Sequence, residues 1–453
     1  MISTATLILA ASTAAVVSTA PPVAVEPPPI VLETPESFVP MKGLHLTAWV
    51  AGTRKLRRKF LAKTSGTVIN AIVVPIKEID GRVYIPGVAS AKKWETQRIA
   101  IPRPAELVDD IHALGMLAVA RVVVFEDNKL PRKNPEWGIQ DVDGGLWENR
   151  KKLAWANPYH REVWEYNLEI ASKAISYGFD EIQFDYIRFP SDGKIDRCRY
   201  PGIDHSSATA VANIVAFLSE AKRRFDPLDV PVSAALFGLV VSARDDLGIG
   251  QDIDDIVKVV DAVSPMMYPS HYIRGAYGLK HPNASPGKVI DFGIRDGTRR
   301  LKGLSYRLRP YLQDFSLGVR YREKEVRAQI DAAVKRGIHS WILWNPQNRY
   351  TWDAVRDAIP ESAITPPGDS AESLGDLTET IVRPIQSPPI EGIDVPPSES
   401  ASDGKSVVVP SSDTVPVAND NRLPGAAEVD LSTGSRDAEN KEEEDNEQPH
   451  DSL

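Results

Sequence analysis

Cysteine is almost absent from this chain. Cys198 is the only one, so no intrachain disulfide forms and no pair of thiolates holds zinc. No GxGxxG or GxxxxGK[ST] stands at a strand–helix junction, which removes the commonest nucleotide-binding loops. Positive charge is not in excess. The formal net charge is -9, part of it in the run Glu442-Glu443-Glu444-Asp445, and this balance argues against a general nucleic-acid binder. The basic run Arg54-Lys55-Leu56-Arg57-Arg58-Lys59 reads as the solvated face of a helix. No His/Asp cluster with ligand spacing is visible. Asp245-Asp246 and Asp252, Asp254 and Asp255 miss the calcium-loop pattern and read as helix caps. No metal and no cofactor is expected. There is no internal repeat.

Charge is also missing from the N-terminus, where Glu26 is the first charged side chain. Residues 1–20 are apolar and rich in small residues. They fit a signal-peptide core better than a membrane span, although the usual leading Lys or Arg is lacking. The reading is export to the periplasm or the outside. An uncleaved membrane anchor and a disordered cytoplasmic leader are the alternatives. Residues 21–40 are proline-rich and read as an extended spacer. Residues 361–453 are rich in Pro, Ser, Asp and Glu and poor in aromatics, the composition of a disordered acidic tail.

What remains, residues 41–360, alternates strand and helix. Eight strand patterns are expected at Gly43–Val50, Ala71–Ile76, Leu117–Val124, Glu181–Phe189, Val230–Phe237, Ala262–Tyr268, Arg309–Phe315 and His339–Trp344. Helical patterns separate them, most clearly at 105–114, 159–177, 207–225, 286–301, 323–336 and 352–358. Gly115, Gly178 and Gly337 close three of these helices before the next strand. The alternation predicts an α/β fold, a single (β/α)8 TIM barrel with disordered N- and C-terminal extensions.

In such a barrel the carboxyl ends of the strands carry the chemistry. The run from Gly178 to Pro190, GFDEIQFDYIRFP, is the most informative. Side chains alternate along a strand, so Gln183, Asp185 and Ile187 share one face. A buried amide and carboxylate are costly unless that face meets a site. Arg188 could orient Asp185; the plain alternative is that the two only pair to hold a loop. The other strand ends offer His45, Thr47 and Trp49; Lys77 and Glu78; Glu126 and Asp127; Tyr268 and His271; Gln313 and Asp314; and Trp341, Trp344 and Asn345. Acids interleaved with aromatics suit sugars, whose C–H faces stack on rings while their hydroxyls pair with carboxylates and amides. Glycoside hydrolysis usually needs two carboxyl groups. Asp185 is the first candidate, with Asp314 or Asp127 as partner and Glu126 and Glu78 behind them. Substrate-binding candidates are His45, Trp49, Gln183, Arg188, Tyr268, His271, Gln313 and Trp344.

These motifs resemble a family, the "putative glycosyl-hydrolase domain" (domain of unknown function 4015). The run 178–190 carries the resemblance, with Lys42-Gly43-Leu44-His45, Arg121-Val122-Val123-Val124-Phe125, Trp155-Ala156-Asn157-Pro158 and Tyr311-Leu312-Gln313-Asp314-Phe315. The resemblance implies a (β/α)8 barrel related to carbohydrate-active enzymes. It also marks a departure: such proteins tend to carry an acid on the second strand where Pro75 stands here, and Glu78 is the residue that would replace it. A more distant likeness is to family-18 chitinases, whose fourth strand reads Asp-x-Asp-x-Glu. Asp185 matches the middle acid, but Ile187 replaces the catalytic Glu, so substrate-assisted chemistry does not carry over. Met267-Tyr268 and Trp344 resemble that group's sixth- and eighth-strand residues.

The expectation is a glycoside hydrolase acting on a polysaccharide or cell-envelope glycan, with a carbohydrate as its partner and no nucleic acid. N-terminal membrane association is the second partner expected, and the sequence leaves the oligomeric state open. The rival is a non-catalytic glycan-binding barrel, motivated by the missing acid at Ile187. A metal-dependent polysaccharide deacetylase ranks third.

Overall fold

The computed structural model describes residues 38–356. The leader, most of the proline-rich spacer and the acidic tail lie outside the described residues. Eight parallel strands close into a barrel: β1 Lys42–His45, β2 Ala71–Lys77, β3 Leu117–Val123, β4 Glu181–Asp185, β5 Val232–Phe237, β6 Ala262–Met266, β7 Tyr311–Gln313 and β8 Trp341–Trp344. Each strand pairs with its neighbours in sequence, and β8 returns to β1 through Lys42↔Trp341. The principal outer helices are α1 Arg54–Leu61, α2 Pro104–His112, α3 Arg161–Ile175, α4 Ser207–Phe225, α5 Ile253–Val259, α6 Pro286–Leu301 and α7 Glu323–Lys335. None of the described helices is long and apolar enough to cross a membrane.

The strands are short runs of β-branched and small residues buried on both sides, as a helix-wrapped parallel sheet requires. Outward side chains such as Ile72, Val74, Ile182 and Phe184 join the layer under the helices, while Ala71, Val73, Val119, Ala235 and Ile342 fill the barrel. Helices stop where glycine takes a left-handed φ: +68° at Gly115, +93° at Gly178 and +80° at Gly337. Asp252 caps α5 by accepting from the Asp254 amide at 2.8 Å.

Every strand differs from expectation by some residues at one end at least, and three of the differences shape the mouth, each for a local reason. The first strand ends at His45, and Ala48–Gly52 is a short helix. The fourth ends at Asp185, because Tyr186 turns left-handed with φ 49°. The second carries Pro75, which has no N–H for the ladder, and its register to β3 slips between Pro75 and Lys77. A one-residue slip exchanges the faces of everything after it. Lys77 therefore swings to the helix side, 5.7 Å from the Tyr166 ring of α3, and Glu78 turns into the mouth.

The loops after β3 and β4 are long. They are joined by a small antiparallel pair, Gln140–Asp141 with Cys198–Arg199. The Arg197 guanidinium pairs with both Asp141 and Asp143 and fastens the two loops together.

Candidate active site

The barrel is unusually polar along one strand. β4 points Glu181, Gln183 and Asp185 inward in three successive layers. At the floor Glu181 pairs with Arg309, and both are buried. In the middle Gln183 donates to Ser233 and Ser264 at 3.4 Å each and accepts from the Tyr311 hydroxyl. At the mouth stands Asp185, 1% exposed.

Asp185 is held by Arg121 of β3. Its Oδ2 accepts from Arg121 Nε at 2.8 Å and faces the terminal nitrogen at 2.7 Å. Its Oδ1 accepts from the Tyr186 amide at 2.6 Å, a contact that the left-handed turn at Tyr186 makes available. The other side of the same guanidinium donates to Glu78 at 2.8 Å. Burial works against the Arg121 charge, but Glu78 and Asp185 outweigh it and hold the guanidinium firmly protonated. Two carboxylates clasped by one guanidinium lie well within the upper limit of about 9.5 Å for a glycosidase pair.

Glu78 differs from Asp185. Its side chain is 28% exposed, so the pair opens to solvent on this side. Removal from bulk water raises its pKa, Arg121 opposes this, and the Asp185 charge raises it further. The turn that carries it is closely built. The Gly81 amide donates to Glu78 O at 2.9 Å. Gly81 has φ 75°, and a Cβ there would meet Asp127 Oδ1 at 2.1 Å, so only glycine fits.

Asp127, expected as a catalytic partner, is what Gly81 presses on. It is fully buried, accepts the Lys129 and Leu130 amides at 2.8 Å each, and pairs with Lys77 at 2.8 Å. Its oxygens are taken up by those two amides and the Lys77 ammonium on the helix side of the barrel, so it props the loop that carries Glu78. Asp314, the other expected partner, is also spent. Its two oxygens accept the Thr351 amide and hydroxyl at 2.7 Å each, which ties the end of β7 to the last turn of the domain. Burial pushes its pKa up to about 6, against those two bonds, and neither Asp185 nor Arg121 contributes.

Arg188 does not orient Asp185. Its guanidinium donates to Phe189 O at 3.1 Å and Ser191 Oγ at 3.0 Å and stacks over Trp155 and Tyr186 at 5.0 and 5.1 Å. The arginine that does is Arg121, which sequence reasoning quoted only as part of a motif. The signal was present: a lone charge inside the apolar run of β3 on the inward register, opposite Gln183.

The remaining candidates divide. Tyr268 stacks on Trp344 with ring centres 5.4 Å apart and planes 26° apart, and Phe315 closes edge-on at 5.6 Å from Trp344. His271 lies 5.4 Å from Tyr268 and is kept neutral by burial, its pKa lowered to about 4. His45 meets Trp344 at 6.0 Å. These five side chains form one wall of the mouth. Gln313 is spent on scaffolding: it accepts the Ser270 amide at 3.1 Å and donates to Phe315 O at 2.9 Å. Trp49 sits apart on its short helix, 48% exposed, with Tyr84 at 6.4 Å and Arg98 over its face at 4.7 Å. Among the described residues no group of three or more His, Cys, Asp or Glu could hold a metal ion.

A closed parallel barrel with paired acids at its mouth is the architecture of a carbohydrate-active enzyme class. The chain belongs to the family described as "Putative glycosyl hydrolase domain", whose model matches residues 43–350. No curated protein matches the chain. Among solved structures it is similar to a hypothetical protein from Ruminiclostridium thermocellum, at 31% identity and TM-score 0.39, over 42% of this chain and 96% of that one. It is also similar to the glycoside hydrolase domain of PgaB (BpsB) from Bordetella bronchiseptica, at 14% identity and TM-score 0.54, over 68% and 95%. A third is the α-galactosidase TtGalA from Thermus thermophilus, at 13% identity and TM-score 0.43, over 71% and 61%. The PgaB likeness is one of fold.

Proposed function

We propose that this barrel hydrolyses glycosidic bonds in a polysaccharide or cell-envelope glycan, using Asp185 and Glu78. The observation that carries the reading is the clasp of both carboxylates by Arg121 at the barrel mouth. Glu78, whose proton is held more tightly than usual, donates it to the leaving glycosidic oxygen. Asp185, fixed on Arg121, meets the anomeric carbon side, either directly or through a water that it deprotonates. Water is added across the C–O bond, and the two products leave as a free reducing end and a free hydroxyl. The Trp344–Tyr268 stack supports the sugar ring by its C–H face. The apolar leader supports export of the chain, which would bring it to such a glycan.

The test is a reducing-end release screen of the full chain on bacterial and plant polysaccharides, with Asp185→Asn and Glu78→Gln in parallel. Release by the wild type that both variants lose supports the pair. Release that survives in Asp185→Asn removes Asp185 from the mechanism. Saturable glycan binding without release would sink the hydrolase reading and leave a binding barrel.

A further inference from the structure

His45 closes β1 at the barrel mouth and is 4% exposed, yet neither of its ring nitrogens has a hydrogen-bond partner among the described residues. Buried polar atoms are almost always paired, so a ring with two unmet nitrogens beside a site points to a ligand. The surroundings define that ligand. The backbone carbonyl of His45 is held by the Tyr350 hydroxyl, so the strand end does not move to satisfy the ring. Trp344 meets the ring edge-on at 6.0 Å with planes 70° apart. The Arg121 guanidinium stands within electrostatic reach. Burial first, and that charge second, hold the imidazole neutral.

A neutral imidazole offers one N–H donor and one lone pair. With Glu78 holding its proton, Asp185 and Arg121 cancel, so the clasp leaves little net charge to draw either a cation or an anion to the ring. A hydroxyl both donates and accepts, and it matches either nitrogen. Resting on the glycan reading above, we propose that His45 binds a hydroxyl of the sugar unit seated over the Asp185–Arg121–Glu78 clasp, and that this unit is an uncharged pyranose rather than a uronic acid. The stacked Trp344 and Tyr268 supply the apolar wall beside it. His45 is thus a substrate-binding group that selects for hydroxyls, distinct from the carboxylates that move protons.

The experiment follows the His45 ring directly. In the full chain its 1H–13C signal is identified as the one lost in His45→Gln. Methyl glycosides of glucose, galactose and N-acetylglucosamine are titrated in, with methyl glucuronide as the charged comparison. At least one neutral glycoside should shift the signal saturably, and the glucuronide should not. His45→Ala should weaken that glycoside's Kd about tenfold, the loss of a neutral hydrogen bond, while His45→Gln, which keeps a donor and an acceptor, should recover most of it. In turnover the Ala variant should raise KM more than it lowers kcat.

A signal unmoved by every neutral glycoside overturns the proposal, as does a shift produced by the glucuronide alone. If His45→Ala fails to fold, the wild-type titration and His45→Gln still decide. Binding that shifts His45 without release of any reducing end keeps this inference and sinks the hydrolase reading. Turnover with a silent His45 does the reverse.

Discussion

The floor and the mouth of the barrel hold the same chemical unit in different settings. Both place an inward carboxylate of β4 against a guanidinium: Glu181 with Arg309 below, Asp185 with Arg121 above. Below, the pair is closed. Arg309 and Glu181 bond to each other, to Ser233, to Ser264 and to Met41 Sδ, and among the described residues no second acid joins them. Above, the guanidinium has a second acid, Glu78, and that acid faces solvent. A buried ion pair with all its partners satisfied only specifies a structure. The same pair with a proton-holding acid and an open side can do chemistry. Position along the strand, and not residue type, separates the two.

Mutations can break this comparison, and the largest effect should come from above. Asp185→Asn should lower kcat roughly a thousandfold or more, beyond whatever stability is lost by taking a carboxylate from the buried Arg121 charge; a variant that melts early but turns over normally would make Asp185 a second structural acid. Below, Arg309→Met leaves Glu181 buried without its partner. Stability should fall by about 3–5 kcal/mol, read by denaturant unfolding, while activity per folded molecule holds. Adding Glu181→Leu to that variant should restore much of the loss, since a well-packed apolar pair replaces a buried ionic one at little cost. Failure to restore would mean that the floor pair does more than fix the barrel.

Glu78→Gln should reduce kcat about a hundredfold and change the shape of the pH profile. The raised pKa of Glu78 keeps it protonated above the ordinary glutamic range, so wild-type activity should fall on the alkaline side as that proton leaves. The Gln variant should lack this limb, and a limb that persists would assign it to another group. The smallest effect concerns Asp314. Its folded pKa of about 6 stands above the ordinary 3.8, so its contribution to stability is full below about pH 4 and fades as pH rises through about 6. Asp314→Asn should remove about 1–3 kcal/mol of that pH dependence, seen as a flatter melting temperature between those limits. An unchanged slope would assign the dependence elsewhere.

The barrel was legible because its signals are local and repeated. Strands of β-branched residues, amphipathic helices and glycines at helix ends each stand in the sequence, and all eight strands overlap the expected patterns, most of them with shorter ends. Asp185 was legible too, as a carboxylate in an apolar strand. Its partners were not. Arg121 lies 64 residues from Asp185 and Glu78 lies 43 from Arg121, and only barrel closure makes them neighbours. Glu78 had a further disguise. Read with unbroken alternation it faces the helices, and only the slip at Pro75 turns it inward. Asp127 and Asp314 stood at strand ends as expected, but their short hydrogen bonds to Leu130 and Thr351 are made by loop geometry that no pattern states.

The sequence by itself determined the alternating strands and helices, and with them the barrel and the inward face of β4, because side-chain periodicity and burial are properties of neighbouring residues. Only the tertiary structure decided which acids are spent and which are open, which arginine clasps Asp185, and that both ring nitrogens of His45 are left without a hydrogen-bond partner among the described residues. Those outcomes depend on desolvation and charge at distances of a few ångströms, between residues that the chain itself keeps far apart.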